Sequence, residues 1–305
     1  MADMPSDAVK IVEVGPRDGL QNEPSDVSTA QKLALIEALV DAGLACVEAT
    51  AFVSPRWVPQ MADHAEVLTT LMRGPLAQRA RFPVLTPNLK GYEAARDAGA
   101  REVAVFAAAS EAFSQKNINC SIDESLARFR PLLEAAAQDG IAVRGYLSCV
   151  LGCPYSGAVS AHKVSELAAR LISAGCYEVS LGDTIGVGTP HQTRALIESV
   201  SRRIPVSLVA GHFHDTYGQA LANVYAAMEA GVRVFDASVA GLGGCPYAKG
   251  ASGNLATEDL VYLCQGLGVD TGVDLEKLVT AGDDICQALG RANQSRVARA
   301  MLAKR

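Results

Sequence analysis

Ser160-Ala-His-Lys-Val-Ser-Glu-Leu-Ala-Ala-Arg-Leu-Ile-Ser-Ala-Gly-Cys-Tyr-Glu-Val-Ser-Leu-Gly182 is a helix, a stop and a strand in one run. Ser160–Ala174 is rich in Ala, Leu and Glu, Gly175 supplies a left-handed C-cap, and Glu178–Gly182 is a short β-rich segment. The same Ala-Gly stop recurs at Asp41-Ala-Gly43, Asp97-Ala-Gly99 and Glu229-Ala-Gly231. Working outward from this unit, strands are expected at Val9–Val14, Cys46–Phe52, Arg81–Leu85, Glu102–Ala107, Ala142–Cys149, Glu178–Gly182, Val206–His214 and Val234–Ala240. Helical patterns lie between them, among them Ser28–Ala42, Ile122–Gln138 and Gly218–Ala230. Eight β-then-α units with short connections predict an α/β fold, a (β/α)8 TIM barrel with additional C-terminal helices. A doubly wound sheet is the alternative, but no Gly-x-Gly-x-x-Gly follows Val14. The expected organisation is one catalytic domain over residues 1–305, with 257–305 holding the last barrel helix and a helical extension.

The 305 residues are 49% apolar and 20% charged, enough to fill one barrel core. A net charge of −6 argues against a nucleic-acid partner, because phosphate neutralisation needs a basic surface. No apolar run approaches the roughly 18 residues of a membrane span. The acidic, polar start is unlike a secretory or mitochondrial presequence, so a cytoplasmic protein is expected. Eight cysteines, at 46, 120, 149, 153, 176, 245, 264 and 286, are scattered rather than arrayed as a disulfide scaffold. Cys149 and Cys153 have no second matched pair, which argues against structural zinc.

The unusual polar residues fall at the C-terminal ends of the expected strands, where barrels place active sites. His212 and His214 alternate along strand seven, so both imidazoles face one side. Asp18 follows strand one, and Asn254 follows the glycine loop after strand eight. Two nitrogens and two oxygens suit Mg2+ or Mn2+, with zinc the alternative that imidazole also accepts. Arg17 and Asp18 lie in Glu13-Val-Gly-Pro-Arg-Asp-Gly-Leu-Gln-Asn22, whose plainer reading is a surface turn. Glu48 interrupts an apolar stretch and needs a partner, for which Arg17 is the natural choice; a purely structural ion pair is the competing reading. Asp183 ends strand six and reads either as a site carboxylate or as a turn residue. Cys245, in Gly241-Leu-Gly-Gly-Cys-Pro-Tyr-Ala-Lys-Gly-Ala-Ser-Gly-Asn254, belongs to no periodic apolar face. Arg56, Lys116 and the loop amides are within reach of phosphates in principle, though each reads as an ordinary surface group.

With these residues assembled, the chain resembles the 3-hydroxy-3-methylglutaryl-CoA lyases, within the metal-dependent DRE-TIM carbon–carbon lyases and synthases. The motif around Arg17 and the glycine loop carry the resemblance, joined by Phe52-Val-Ser-Pro-Arg-Trp-Val-Pro-Gln-Met61, Gln115-Lys-Asn-Ile-Asn-Cys-Ser121 and Gly145-Tyr-Leu-Ser-Cys-Val-Leu-Gly-Cys-Pro154. It implies cleavage of an acyl-CoA substrate, 3-hydroxy-3-methylglutaryl-CoA, to acetyl-CoA and acetoacetate, as in leucine degradation. It implies that Asp18, His212, His214 and Asn254 hold the metal, and that Arg17, Glu48, Asp183, Cys245 and Tyr146 serve the chemistry. It also implies a homodimer. A sister lyase for longer branched acyl groups and a Claisen-condensing relative are the alternatives.

Overall fold

The four Ala-Gly stops end helices as the sequence predicts. Gly43, Gly99, Gly175 and Gly231 have φ of 103°, 96°, 116° and 98°, backbone that glycine adopts without strain. The computed structural model describes residues 8–25, 27–244 and 253–305, so Cys245 lies outside the described residues. The strands are β1 (Lys10–Glu13), β2 (Thr50–Ala51), β3 (Val84–Leu85), β4 (Glu102–Ala108), β5 (Ala142–Ser148), β6 (Glu178–Asp183), β7 (Val209–Phe213) and β8 (Val234–Ala237). All pair in parallel in the order β1-β8-β7-β6-β5-β4-β3-β2. A parallel bridge from Glu13 to Val47, on the segment leading into β2, joins the two ends of the sheet. The expected barrel is the observed one.

The helices are α1 (Thr29–Asp41), α2 (His64–Arg73), α3 (Leu89–Asp97), α4 (Glu111–Ile118), α5 (Ile122–Asp139), α6 (Ala161–Ser173), α7 (Pro190–Ser201) and α8 (Ala220–Glu229), followed by α9 (Thr257–Gly266), α10 (Leu275–Leu289) and α11 (Arg296–Leu302). After β8 the chain packs α9 on α8 and α10 on α1, covering the barrel wall where its ends meet. Reciprocal Ser28–Gln31 and Ser121–Glu124 capping boxes start α1 and α5, satisfying amides the helices leave without intrahelical partners.

The strands expected at 46–52, 81–85, 206–214 and 234–240 are shortened, and Val206–Leu208 forms a tight helical turn ahead of β7. The stretch 46–52 gives amide hydrogen bonds to Arg81, Pro83 and Leu85 carbonyls, but Pro83 has no N–H to return. Regular pairing there is confined to Thr50–Ala51. The stretch after β8 turns at Val239–Gly241 instead of extending, with Ala240 at φ 56°.

Glu258, at the start of α9, accepts that turn's Ala240 N–H with both oxygens at 3.0 Å. Burial pushes its carboxyl up to about 8, against its own and Ala240's amides. The folded chain therefore keeps a proton that the unfolded chain releases near the ordinary value of 4.5. That contribution is fully present below the unfolded value and is lost as pH rises through the folded one. Glu258→Gln is expected to flatten this fall. Urea titrations of the metal-free protein at about pH 5 and pH 9 should show a smaller loss of stability in the variant than in the parent; identical losses reject the assignment.

Candidate active site

β1 leads into a tight helical turn, Gly15–Gly19, that has Pro16 at its second position and carries Arg17 and Asp18 to the barrel mouth. Arg17 Nε and Nη2 both meet Glu48 Oε2 at 2.7 Å, and Nη1 meets Asp18 Oδ1 at 2.7 Å. The partner inferred for Glu48 is thus the observed one. Glu48 has no exposed surface. Burial raises its carboxyl pKa and the Arg17 charge opposes the rise. Asp18 goes the other way: burial would raise it, and Arg17 together with His212 and His214 outweighs that and lowers it.

The register of the sheet supplies the other half. It sets Tyr146 beside Ser180, Gly182 beside His212, and His212 beside Asp236. His214 follows β7 and bridges Asn254, and Asn254 Nδ2 donates to Asp18 Oδ2 at 2.8 Å. His212 Nε2 and His214 Nε2 lie 3.2 Å apart. Burial and the neighbouring His212 lower His214 to about 4, so near pH 7 it is neutral and one ring nitrogen keeps a lone pair with which to act as a ligand. Ligand atoms of Asp18, His212 and His214 all fall within 4.8 Å of one another. Asn254 Oδ1 is buried with no hydrogen-bond partner. Two imidazoles, a carboxylate and an orphaned amide oxygen form the mixed donor set that a divalent cation such as Mg2+ or Mn2+ fits.

Tyr146 lies between two guanidiniums, with Arg17 5.5 Å and Arg144 5.0 Å from its ring centroid. Burial, reinforced by Glu48, holds its phenol well above the ordinary value. Asp183 is fully buried at the end of β6, where its carboxylate accepts the Gly188 and Val187 amides at 2.8 and 3.2 Å. Burial raises its pKa against those amides. Both readings of Asp183 therefore have support: it shapes the 183–188 turn, and it is a carboxylate of raised basicity beside the histidine strand.

Sequence reasoning missed Asp236, Arg144 and Ser180. Asp236 Oδ2 meets Ser180 Oγ at 2.7 Å and His212 Nδ1 at 3.1 Å, while Oδ1 meets Arg144 Nη2 at 2.8 Å. Arg144, fully buried inside the barrel, also meets Glu178 at 2.7 Å. Burial would raise Asp236, but Arg144 and His212 hold it far below the usual carboxylate range. As a permanent acceptor it receives a hydrogen bond from His212 Nδ1–H, which leaves the lone pair on Nε2, the nitrogen facing His214. The signal was present: Asp236 interrupts the apolar run Val234-Phe-Asp-Ala237 just as Glu48 interrupts its own. Asp236→Asn is expected to weaken Mn2+ binding about 10–100-fold. An unchanged calorimetric affinity would remove Asp236 from this role.

Arg17, Asp18, Tyr146, Ser180, His212 and His214 line a cavity of about 680 Å3 together with the apolar Val53, Leu85 and Phe106. A larger groove of about 870 Å3 lies outside the barrel between α5 and α6, away from the histidines. Among the described residues, all seven cysteines are buried, and Asp18, His212 and His214 form the one group of three or more His, Cys, Asp or Glu side chains close enough to share a metal. The Cys149–Cys153 pair is not part of it.

The HMGL-like family profile matches residues 8–285. Bovine (Bos taurus) mitochondrial hydroxymethylglutaryl-CoA lyase is 63% identical over 96% of this chain and 89% of its own. The 3-hydroxy-3-isohexenylglutaryl-CoA/hydroxy-methylglutaryl-CoA lyase of Pseudomonas aeruginosa is 60% identical over 97% of this chain and 98% of its own. A crystal structure of hydroxymethylglutaryl-CoA lyase from Pseudomonas aeruginosa superposes with a TM-score of 0.95 at 59% identity, covering 98% of this chain and 99% of that one. With the match spanning the barrel and every described site residue, the chain belongs to the HMGL-like family.

Proposed function

We propose that this chain cleaves 3-hydroxy-3-methylglutaryl-CoA to acetoacetate and acetyl-CoA. The observation that carries the reading is the meeting of Asp18, His212 and His214 ligand atoms within 4.8 Å, beside the buried Arg17–Glu48 pair. Asp18, His212, His214 and Asn254 would hold a divalent cation, Mg2+ or Mn2+, which would supply Lewis acidity toward the substrate oxygens. A carboxylate base, Asp183 or Asp18, takes the C3 hydroxyl proton. The O–H pair becomes the new carbonyl as the C2–C3 bond breaks, and that bond's electrons pass to C2 as the acetyl-CoA enolate. Arg17 stabilises the thioester oxygen as charge develops, and Glu48 fixes the guanidinium. Tyr146 packs against Arg17 and keeps water off that face. Cys245 gives its thiol proton to C2.

The test is product release. Equal amounts of acetoacetate and acetyl-CoA should appear, cease in chelator and return with Mn2+ or Mg2+; no cleavage by the folded, metal-loaded protein rejects the reading. A second substrate, 3-hydroxy-3-isohexenylglutaryl-CoA, has support of its own in the apolar residues Val53, Leu85 and Phe106 of the cavity lining and in the name of the Pseudomonas aeruginosa relative. Support for a homodimer is the family resemblance, testable by sedimentation. Among the described residues, no helix is long and apolar enough to cross a membrane.

A further inference from the structure

Glu13 ends β1 and has no exposed surface. Its Oε1 accepts the Gly15 amide at 2.7 Å and the Val239 amide at 2.9 Å, and its Oε2 takes the Thr257 hydroxyl at 2.6 Å. One carboxylate thus joins the first residue of the Arg17–Asp18 turn, the first residue of the 239–241 turn and the first residue of α9.

The two turns also touch directly. A Cβ added at Gly15 would lie 2.6 Å from Glu13 Oε1, and one at Gly19 would lie 2.7 Å from Leu242 Cβ. The second turn has a non-glycine residue at positive φ, Ala240, whose amide Glu258 holds from the side of α9. It continues to Leu242, whose carbonyl accepts Asn254 Nδ2 at 3.2 Å, and to Gly244, the residue before Cys245.

We propose that Glu13 is a positioning residue that sets the Arg17–Asp18 turn and the 239–244 segment at one fixed spacing, so that the cation ligands and the approach to Cys245 are assembled by a single side chain. The inference rests on the lyase reading for its kinetic readout and not for its binding readout. Glu13 touches neither substrate nor cation and acts through Gly15 and Val239.

Glu13→Gln keeps a carbonyl oxygen for the two amides, and the Thr257 hydroxyl can turn to accept from the new amide group. Glu13→Asp is one methylene shorter and cannot span both turns at their present spacing. Each variant would be compared with the parent for Mn2+ dissociation constant by electron paramagnetic resonance, kcat and KM with 3-hydroxy-3-methylglutaryl-CoA, and Tm.

Glu13→Gln should keep the Mn2+ constant and kcat within about threefold of the parent. Glu13→Asp should raise the Mn2+ constant about tenfold, as loss of outer-shell support does, and lower kcat by about the same factor or more with KM little changed. A folded Glu13→Asp protein with parental Mn2+ affinity and kcat overturns the proposal, as does one that loses only Tm. If Glu13→Asp does not fold, Gly15→Ala carries the test, because its methyl group displaces the carboxylate from the Gly15 amide without changing charge. Parental Mn2+ affinity and kcat in Gly15→Ala likewise overturn it. Should the parent cleave no 3-hydroxy-3-methylglutaryl-CoA at all, the lyase reading fails while the Mn2+ comparison still decides the role of Glu13.

Discussion

Arg17→Met is expected to abolish most turnover and to destabilise the fold at the same time. Removing the guanidinium leaves Glu48 fully buried with no counter-charge and takes one salt-bridge partner from Asp18. Breaking one side of a buried ion pair costs about 3–5 kcal/mol. Glu48 already has a raised pKa that Arg17 opposes, so loss of the guanidinium raises it further. Loss of a donor aimed at a developing oxyanion lowers kcat by roughly 10²–10³-fold. The two effects separate in a double variant. Arg17→Met with Glu48→Leu removes both charges and should recover much of the stability, since a well-packed apolar pair replaces a buried ion pair at little cost. Activity should stay lost. Recovery of both would make the pair purely structural, the competing reading of Glu48. Parental kcat in the single variant would remove Arg17 from the chemistry.

Cys245→Ser is expected to lower kcat by about 10²–10⁴-fold, the usual contribution of a positioned general acid. The argument is chemical. A thiol titrates near pH 8.5, whereas an alcohol is a far weaker acid and cannot protonate an enolate at comparable speed. Glycines on one side and a proline on the other keep Cys245 out of a periodic apolar face, and the described segments on either side of its loop, at Leu242–Gly244 and Asn254, abut the Asp18 turn. The remaining seven cysteines are buried, and burial pushes four of them, Cys46, Cys176, Cys264 and Cys286, up to about 11 or 12, which suits packing rather than proton donation. The measurement is single-turnover release of acetyl-CoA, read beside acetoacetate. Slow acetyl-CoA with undiminished acetoacetate places the defect at protonation. Full turnover in Cys245→Ser ends the assignment.

Much of this architecture was legible because local signals agreed. The Ala-Gly stops marked helix ends, and the strand-end positions of His212, His214, Asp183 and Arg17 then followed from the βα rhythm. Glu48 was legible for a different reason: an ionised group in an apolar run demands a partner. The same rule applies to Asp236, Arg144 and Glu13. They passed unread because each finds its partner on a strand or turn distant in sequence, Asp236 with Arg144 and Glu13 with Val239 and Thr257. Pairings of that kind are fixed by barrel register and closure, which no local pattern encodes. Strand lengths were overestimated where one backbone group is missing, as at Pro83, or where the chain turns left-handed, as at Ala240. Asp183 shows the limit of position as a guide. Its place at a strand end was correct, yet the amides of Val187 and Gly188 on its carboxylate emerge only from how the following turn folds back.

The central claim is that Asp18, His212, His214 and Asn254 form one cation site on which carbon–carbon cleavage depends. Its most direct test is a Mn2+ titration of metal-free protein, following bound ion and acetoacetate release in the same samples, for the parent and for His214→Ala. The account predicts that release from 3-hydroxy-3-methylglutaryl-CoA tracks occupancy of a single site per chain, and that His214→Ala shifts both curves to higher Mn2+ together. Cleavage that proceeds at full rate without bound ion, or a His214→Ala protein that binds and cleaves like the parent, would contradict it.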